Sequence, residues 1–295
     1  PILNIKGKSI KRYKIKIKSN ISSQYISSLI LIGPKLVNGL KIKLLNKNIS
    51  FSYIDMTIKI LKKLKFDIKK KNNYIYIKNK KFKKKKKNIK YYIESDWSSA
   101  SYYYSILSIL KKGEIILKNF EKKSCQGDSI ICNIYKKYFG ITTFFFKNKK
   151  YIKIKKENIK KPKIVKLNLE STPDIAQTII VTCAILRIKC TLTGLKTLNI
   201  KETNRLKALK TELKKIGTIT KISKEKIKII YFKKKIKKKI LINTYKDHRM
   251  AMSFSVLAIK RKIYIENPKT VNKSYPKFWK DLKKIGFYYK KLKII

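Results

Sequence analysis

The sequence predicts an α/β protein built from one repeated unit, a β-α-β-α-β-β module. Segments with apolar residues at helical spacing open on Ser, Thr, Asp or His. Short alternating or β-branched runs fill the gaps between them. The order helix, helix, strands returns along the whole chain with a period of roughly 75 residues, longer than the short-period solenoids.

The first helix of each repeat reads as Ser22 to Gly33, Ser98 to Gly113, Thr172 to Arg187 and His248 to Lys260. A second, amphipathic helix follows each: Tyr53 to Phe66, Gly127 to Gly140, Lys201 to Gly217 and Tyr275 to Gly286. Every second helix carries a Lys-Lys pair shortly before an aromatic or Gly stop. Leu206, Leu209, Leu213 and Ile216 mark one buried helical face, and Gly217 is placed as a C-cap. Tyr74–Ile77, Tyr151–Ile154 and Ile227–Ile230 alternate or cluster β-branched residues and read as strands.

At 295 residues the chain can bury one large core or two. Its net charge of +61 would ordinarily suggest nucleic acid. The basic residues argue otherwise. Among 77 Lys+Arg only Arg12, Arg187, Arg205, Arg249 and Arg261 are arginines, although guanidinium is the better fork for phosphates and bases. The excess is Lys, accompanied by Ile, Asn and Tyr, all with A/T-rich codons, which reads as compositional bias and not as a binding surface. The charge should still steer small anions. The runs Lys83 to Lys87 and Lys233 to Lys239 read as solvated connections between strands. Cys125, Cys132, Cys183 and Cys190 lack C-x-x-C spacing, which suggests reduced thiols in a cytoplasmic chain. No apolar run approaches the ~20 residues needed to span a bilayer. There is no G-x-x-x-x-G-K loop or dinucleotide fingerprint, and the single His argues against a metal site.

Two segments concentrate the residues that grip anions and move protons: Lys201-Glu202-Thr203-Asn204-Arg205 and Asp247-His248-Arg249-Met250-Ala251-Met252. Glu202, flanked by Lys201 and Arg205, should stay charged until a proton is needed. Asp174 opens an apolar helix and reads equally as a cap that complements the helix dipole. Ser22-Ser23-Gln24 lies at a helix start, where free N–H groups favour an anion or simply a cap. Ser98 and Ser99 read as caps, and His248 as a structural hydrogen-bonding residue.

These segments resemble the signatures of the EPSP synthase family, Lys-Glu-(Ser/Thr)-Asp-Arg and Asp-His-Arg-Met-Ala-Met. Asn204 departs from the first; the second is complete. Glu94-Ser95-Asp96-Trp97-Ser98-Ser99-Ala100-Ser101-Tyr102 and Gln126-Gly127-Asp128 resemble further family segments, and neither is assigned to chemistry. The resemblance implies enolpyruvyl transfer from phosphoenolpyruvate to the 5-hydroxyl of shikimate 3-phosphate. It also implies that no cofactor or metal is needed and that the complete protein is a monomer. By the same likeness Ser22, Ser23 and Lys201 would hold shikimate 3-phosphate, Ser50 and Tyr53 would be further substrate contacts, and Gln24 would lie between the two substrates. Ser52 stands where the family usually has Pro. Arg205, Arg249 and Lys273 would surround phosphoenolpyruvate. Asp174 would contact the attacking hydroxyl as a candidate base, and Glu202 would serve proton transfer at the methylene. Thr197 lies where an Asn is common, and its role stays open.

Family members build two domains of three modules each. Four modules here lead to the expectation that roughly the first third is missing. Residues 1–93 would then be the remaining module of an incomplete first domain, and 94–295 the second domain. The rival readings are the related transferase acting on UDP-N-acetylglucosamine, a basic nucleic-acid-binding protein, and a decayed enzyme.

Overall fold

A computed structural model describes residues 3–4, 6–7, 10–18, 23–45, 51–80, 90–146, 150–233 and 239–291. The run Lys83 to Lys87 and most of Lys233 to Lys239 lie outside them. The chain forms two compact units, one of Pro1–Ile93 with Cys125–Gly127, the other of Glu94–Ser124 with Asp128–Ile295.

In the first unit β1 (Lys14–Lys18), α1 (Ser23–Ile32), β2 (Leu40–Leu45), α2 (Phe51–Lys63), β3 (Ile68–Lys71) and β4 (Tyr74–Ile77) follow in order. The sheet order is β1-β2-β4-β3, with β1 and β2 parallel and β4 antiparallel to both β2 and β3. Alternation decides the faces. Ile42, Leu44, Ile75 and Ile77 turn inward to meet Ile26, Ile30, Ile54 and Ile58 of the two helices. The lysines between them stay on the other face.

The second unit repeats this pattern. α3 (Trp97–Ile109), β5 (Glu114–Lys118), α4 (Ile131–Phe139), β6 (Ile141–Phe146) and β7 (Tyr151–Lys156) give a sheet ordered β5-β7-β6. Next come β8 (Ile164–Asn168), α5 (Ala176–Ile185), β9 (Lys189–Thr193), α6 (Arg205–Lys215), β10 (Thr218–Ser223) and β11 (Lys226–Phe232). Their order, β8-β9-β11-β10, has the same parallel and antiparallel pairings as the sheet of the first unit. Finally β12 (Leu241–Ile242) and β13 (Tyr264–Ile265) pair in parallel around α7 (His248–Ser255), and α8 (Phe278–Lys284) follows. The module is therefore complete twice among the described residues.

Helices α3 and α5 are apolar or small on every side and lie in the middle of the second core. Their hydroxyls satisfy one another: Ser101 with Thr178 at 2.9 Å, and Ser105 with Thr182 at 2.7 Å. The second helices pack one face only. Leu206, Leu209 and Leu213 are fully buried, and Gly217 ends α6 at φ 75°, a left-handed conformation suited to glycine. The Lys-Lys pairs fall in the last turns of α2, α4, α6 and α8, where they complement the helix dipole.

Several helix starts differ from the sequence reading, each for a local reason. α6 begins at Arg205, not Lys201, because the Asn204 side chain accepts from Lys207 N–H at 3.1 Å and fixes the cap there. Asn204 thus does the capping an Asp would do. α3 is capped by Asp96, which accepts from the N–H groups of Ser98 and Ser99; those serines are not the caps. α5 is preceded by a 3₁₀ turn at Pro173–Ile175, α4 by one at Gly127–Ile130, and α8 starts only after Pro276. α3 stops at Ile109, short of Gly113, and α7 gives way to a 3₁₀ turn at Val256–Ile259.

Candidate active site

The two complete modules place the starts of their helices beyond the C-terminal ends of their parallel strands, the usual ligand-facing edge of such sheets. In the first unit this brings Ser23 and Gln24, at the start of α1, to the same end as Tyr53 in the first turn of α2. Thr57 Oγ1 lies 3.1 Å from Ser27 Oγ, so the two helices meet one turn further in. Ser23 and Tyr53 are half-buried and Gln24 is exposed. Ser22 and Ser50 lie outside the described residues.

In the second unit the helix starts are charged. The 3₁₀ turn before α5 carries Asp174, the segment before α6 carries Lys201 and Glu202, and Arg205 is the first residue of α6. Asp247 caps α7, which opens with His248 and Arg249. Lys273 closes the 3₁₀ turn Pro268–Lys273. All of them converge.

Arg205 is the centre of the cluster. Its Nε donates to Asp247 Oδ2 at 2.7 Å, Nη1 to Asp174 Oδ1 at 2.9 Å, and Nη2 to Glu202 Oε2 at 2.7 Å. A longer contact of 3.4 Å joins Nη2 to Asp247 Oδ1. One planar fork thus orders three carboxylates, which a lysine could not do. Arg249 Nη2 lies 3.3 Å from Asp174 Oδ2, and its Nη1 donates to the Asp174 carbonyl at 3.2 Å. Lys201 Nζ is 3.6 Å from Asp174 Oδ1, and Lys273 Nζ donates to Glu202 Oε1 at 2.7 Å.

Exposure sorts these cations. The Arg205 side chain is 2% exposed and locked, whereas Arg249, Lys201 and Lys273 are 14%, 32% and 58% exposed. The last three can exchange a carboxylate for an incoming anion without opening the core.

Electrostatics separates the acids. Partial burial pushes the Glu202 carboxyl up, but the Lys273 hydrogen bond, a backbone hydrogen bond and the charges of Arg205 and Lys273 outweigh it and draw it down to about 2. Glu202 is therefore ionised at neutral pH. Burial raises Asp128 to about 6, against the Ser98 hydroxyl that donates to its Oδ2 and with the help of the nearby Asp174 charge. Ser98 Oγ in turn lies 3.4 Å from Arg249 Nη2. Burial and the adjacent Arg249 hold His248 below its ordinary value, so its ring is neutral at pH 7. Its Nδ1 is buried with no hydrogen bond among the described residues and lies 3.9 Å from Glu202 Oε1.

Asp247 belongs to the cluster although its segment alone gave it no separate role. It is fully buried, caps α7 through Arg249 N–H at 2.8 Å, and holds Arg205. Its place inside the Asp-His-Arg segment was the available signal. Thr197 precedes the cluster, and its hydroxyl is buried with no hydrogen-bond partner among the described residues.

The EPSP synthase (3-phosphoshikimate 1-carboxyvinyltransferase) family matches residues 2–282. The 3-phosphoshikimate 1-carboxyvinyltransferase of Bacteroides fragilis is 36% identical over 97% of the chain, and that of Buchnera aphidicola subsp. Cinara cedri 37% identical over 98%. The chain spans 69% and 64% of those relatives. Among solved structures, EPSP synthase from Acinetobacter baumannii superposes with a TM-score of 0.66 at 20% identity, covering 92% of this chain and 62% of that one. The enolpyruvyl transferase NikO from Streptomyces tendae gives 0.62 at 11% identity, covering 93% and 64%; these two likenesses speak to the fold. With an ordered cluster of three carboxylates and four cations at its helix starts, and with relatives of one name along nearly its whole length, the chain belongs to the EPSP synthase family.

Proposed function

We propose that the protein transfers the enolpyruvyl group of phosphoenolpyruvate to the 5-hydroxyl of shikimate 3-phosphate and releases phosphate. The observation that carries this reading is Arg205 holding Asp174, Glu202 and Asp247 in one plane of hydrogen bonds beside three cations that remain accessible. Such a site can neutralise an anionic substrate and also keep two carboxylates, Asp174 and Glu202, in separate hydrogen-bond settings.

In this reading Asp174 takes the hydroxyl proton as the oxygen bonds to the central carbon of phosphoenolpyruvate, and Glu202 delivers a proton to the methylene. The tetrahedral adduct then loses phosphate, which leaves with the proton held by Asp174; Glu202 recovers its proton from the methyl group, and the double bond returns. Glu202 must first rise from about 2. Lys273, the most exposed cation, supplies the means: when it turns to the phosphoenolpyruvate anion, Glu202 loses the contact that most lowers its pKa. Arg249 and Lys273 bind phosphoenolpyruvate, and Arg205 contributes charge while fixing the acids. The roles of Ser22, Ser23, Gln24, Ser50 and Tyr53 as substrate contacts, and of Lys201 toward shikimate 3-phosphate, rest on the family likeness. The reaction needs no metal or organic cofactor, and we place it in a cytoplasmic monomer.

The test is phosphate release by the full-length protein supplied with both substrates. Release that requires shikimate 3-phosphate supports the reading. Release with UDP-N-acetylglucosamine in its place, or none with either acceptor, overturns it.

A further inference from the structure

Glu212 is a fully buried carboxylate two turns along α6 from Arg205, and the proposed chemistry does not use it. It accepts from Tyr245 Oη at 2.7 Å and from the Asn243 N–H at 3.1 Å, and Lys215 Nζ lies 2.7 Å away. Lys215 also donates to Asn243 Oδ1 at 2.7 Å and to the Leu241 carbonyl at 2.9 Å. The segment leading to Asp247 is thus fastened to α6 at one end by Glu212, and at the other by the Arg205–Asp247 pair.

Between these fastenings the backbone takes a turn that its own residues resist. Asp247 N–H donates to the Thr244 carbonyl at 2.9 Å, closing a four-residue turn, and both central residues have positive φ, 54° at Tyr245 and 56° at Lys246. Two successive left-handed positions are the pattern of a type I′ turn, which ordinarily takes Asn-Gly. A Tyr-Lys pair has no intrinsic preference for it, so the surroundings must impose the shape. From outside the turn Tyr245 is held by the Glu212 carboxylate, with Thr211 beside its hydroxyl and the core against its ring.

We propose that Glu212 and Tyr245 are positioning residues: they clamp this strained turn so that Asp247 meets Arg205 and α7 presents Arg249 to the phosphoenolpyruvate anion. The inference rests on the reading of the site given above. Asp247 links both arginines, accepting from the Arg205 side chain and from the Arg249 N–H, so a turn that relaxes displaces both at once.

The experiment uses the full-length protein, with kinetics and hydrogen exchange across residues 243–249. Tyr245→Phe removes only the hydroxyl and is expected to raise KM for phosphoenolpyruvate roughly tenfold, as loss of a hydrogen bond to a charged group does. KM for shikimate 3-phosphate stays within about twofold under the same argument. Glu212→Ala should behave alike, and Glu212→Gln, which keeps an acceptor for Asn243, should be milder. The discriminating variant is Tyr245→Phe with Lys246→Gly. Glycine accepts positive φ freely, so one of the two strained positions is relieved, the turn leans less on its clamp, and the KM should return most of the way to the parent value.

A lowered Tm with unchanged kinetic constants in Tyr245→Phe would leave the pair merely structural and overturn the inference. Failure of Lys246→Gly to restore the KM would do the same. Absence of turnover in the unsubstituted protein rejects the proposed reaction instead. Exchange then judges the clamp alone: faster exchange in Tyr245→Phe, reversed by Lys246→Gly, supports it, and unchanged exchange overturns it.

Discussion

The modules at 14–77 and 164–232 have the same sheet order and the same strand directions, yet their helix starts carry opposite kinds of chemistry. In the first, α1 opens with Ser23 and Gln24 and α2 with Tyr53 close behind: neutral hydrogen-bonding groups on a helix end. In the second, the corresponding positions hold Asp174 before α5, and Glu202 and Arg205 at α6. The scaffold is shared because it depends only on alternating apolar residues and caps. The chemistry is set by a few side chains at the edge the scaffold exposes, which can change without disturbing the core. A neutral helix start can hold an anion and fix its direction. A start that carries carboxylates can also take and give a proton near neutral pH.

The most severe way to break this contrast is at Glu202. Glu202→Gln is expected to lower kcat by about 10²–10⁴-fold in a protein that still folds, the usual contribution of general acid–base action. Turnover above about half the starting value would remove Glu202 from proton transfer. The same variant carries a pH signature. The folded-state pKa is depressed, so Glu202 adds stability above its unfolded value of 4.5 that is lost as pH falls toward about 2. Thermal melts over that range should slope less in Glu202→Gln than in the parent.

Two arginines sharpen the contrast within the charged region. Arg205→Met leaves Asp247 buried and uncompensated, and is expected to destabilise the protein by about 3–5 kcal/mol in denaturant melts. Arg249→Lys keeps a charge at a more open position. Its melt should be nearly unchanged while KM for phosphoenolpyruvate rises roughly tenfold, because a point charge replaces a planar fork. Equal stability losses in the two would contradict the division between a locked and an exchangeable cation.

The smallest effect belongs to the neutral region. Ser23→Ala should raise KM for shikimate 3-phosphate by roughly tenfold, the low end for one hydrogen bond to a charged group. It should leave kcat and the acid limb of stability alone. A change in kcat as large as that of Glu202→Gln would mean that the neutral helix start takes part in the chemistry.

The sequence by itself determined the module, the helix faces and the two charged segments, because these are local matters of periodicity, capping and residue type. Leu206, Leu209 and Leu213 announce their buried face at spacings of three and four, and Lys201 to Arg205 stand out by composition alone. Helix boundaries were less legible, since a cap such as Asp96 or Asn204 acts only once its oxygen finds a particular N–H. Only the tertiary structure decided what each charge is for. Asp247 and Arg205 are 42 residues apart and meet at 2.7 Å, which makes Arg205 the post that orders three acids, beside the role toward phosphoenolpyruvate expected from the family likeness. Glu212, in a lysine-rich helix, reads as a surface charge until Tyr245 and Asn243 fold over it. The physical reason is the same in both cases: a charge takes its role from its burial and its partners, and those come from contacts distant in sequence.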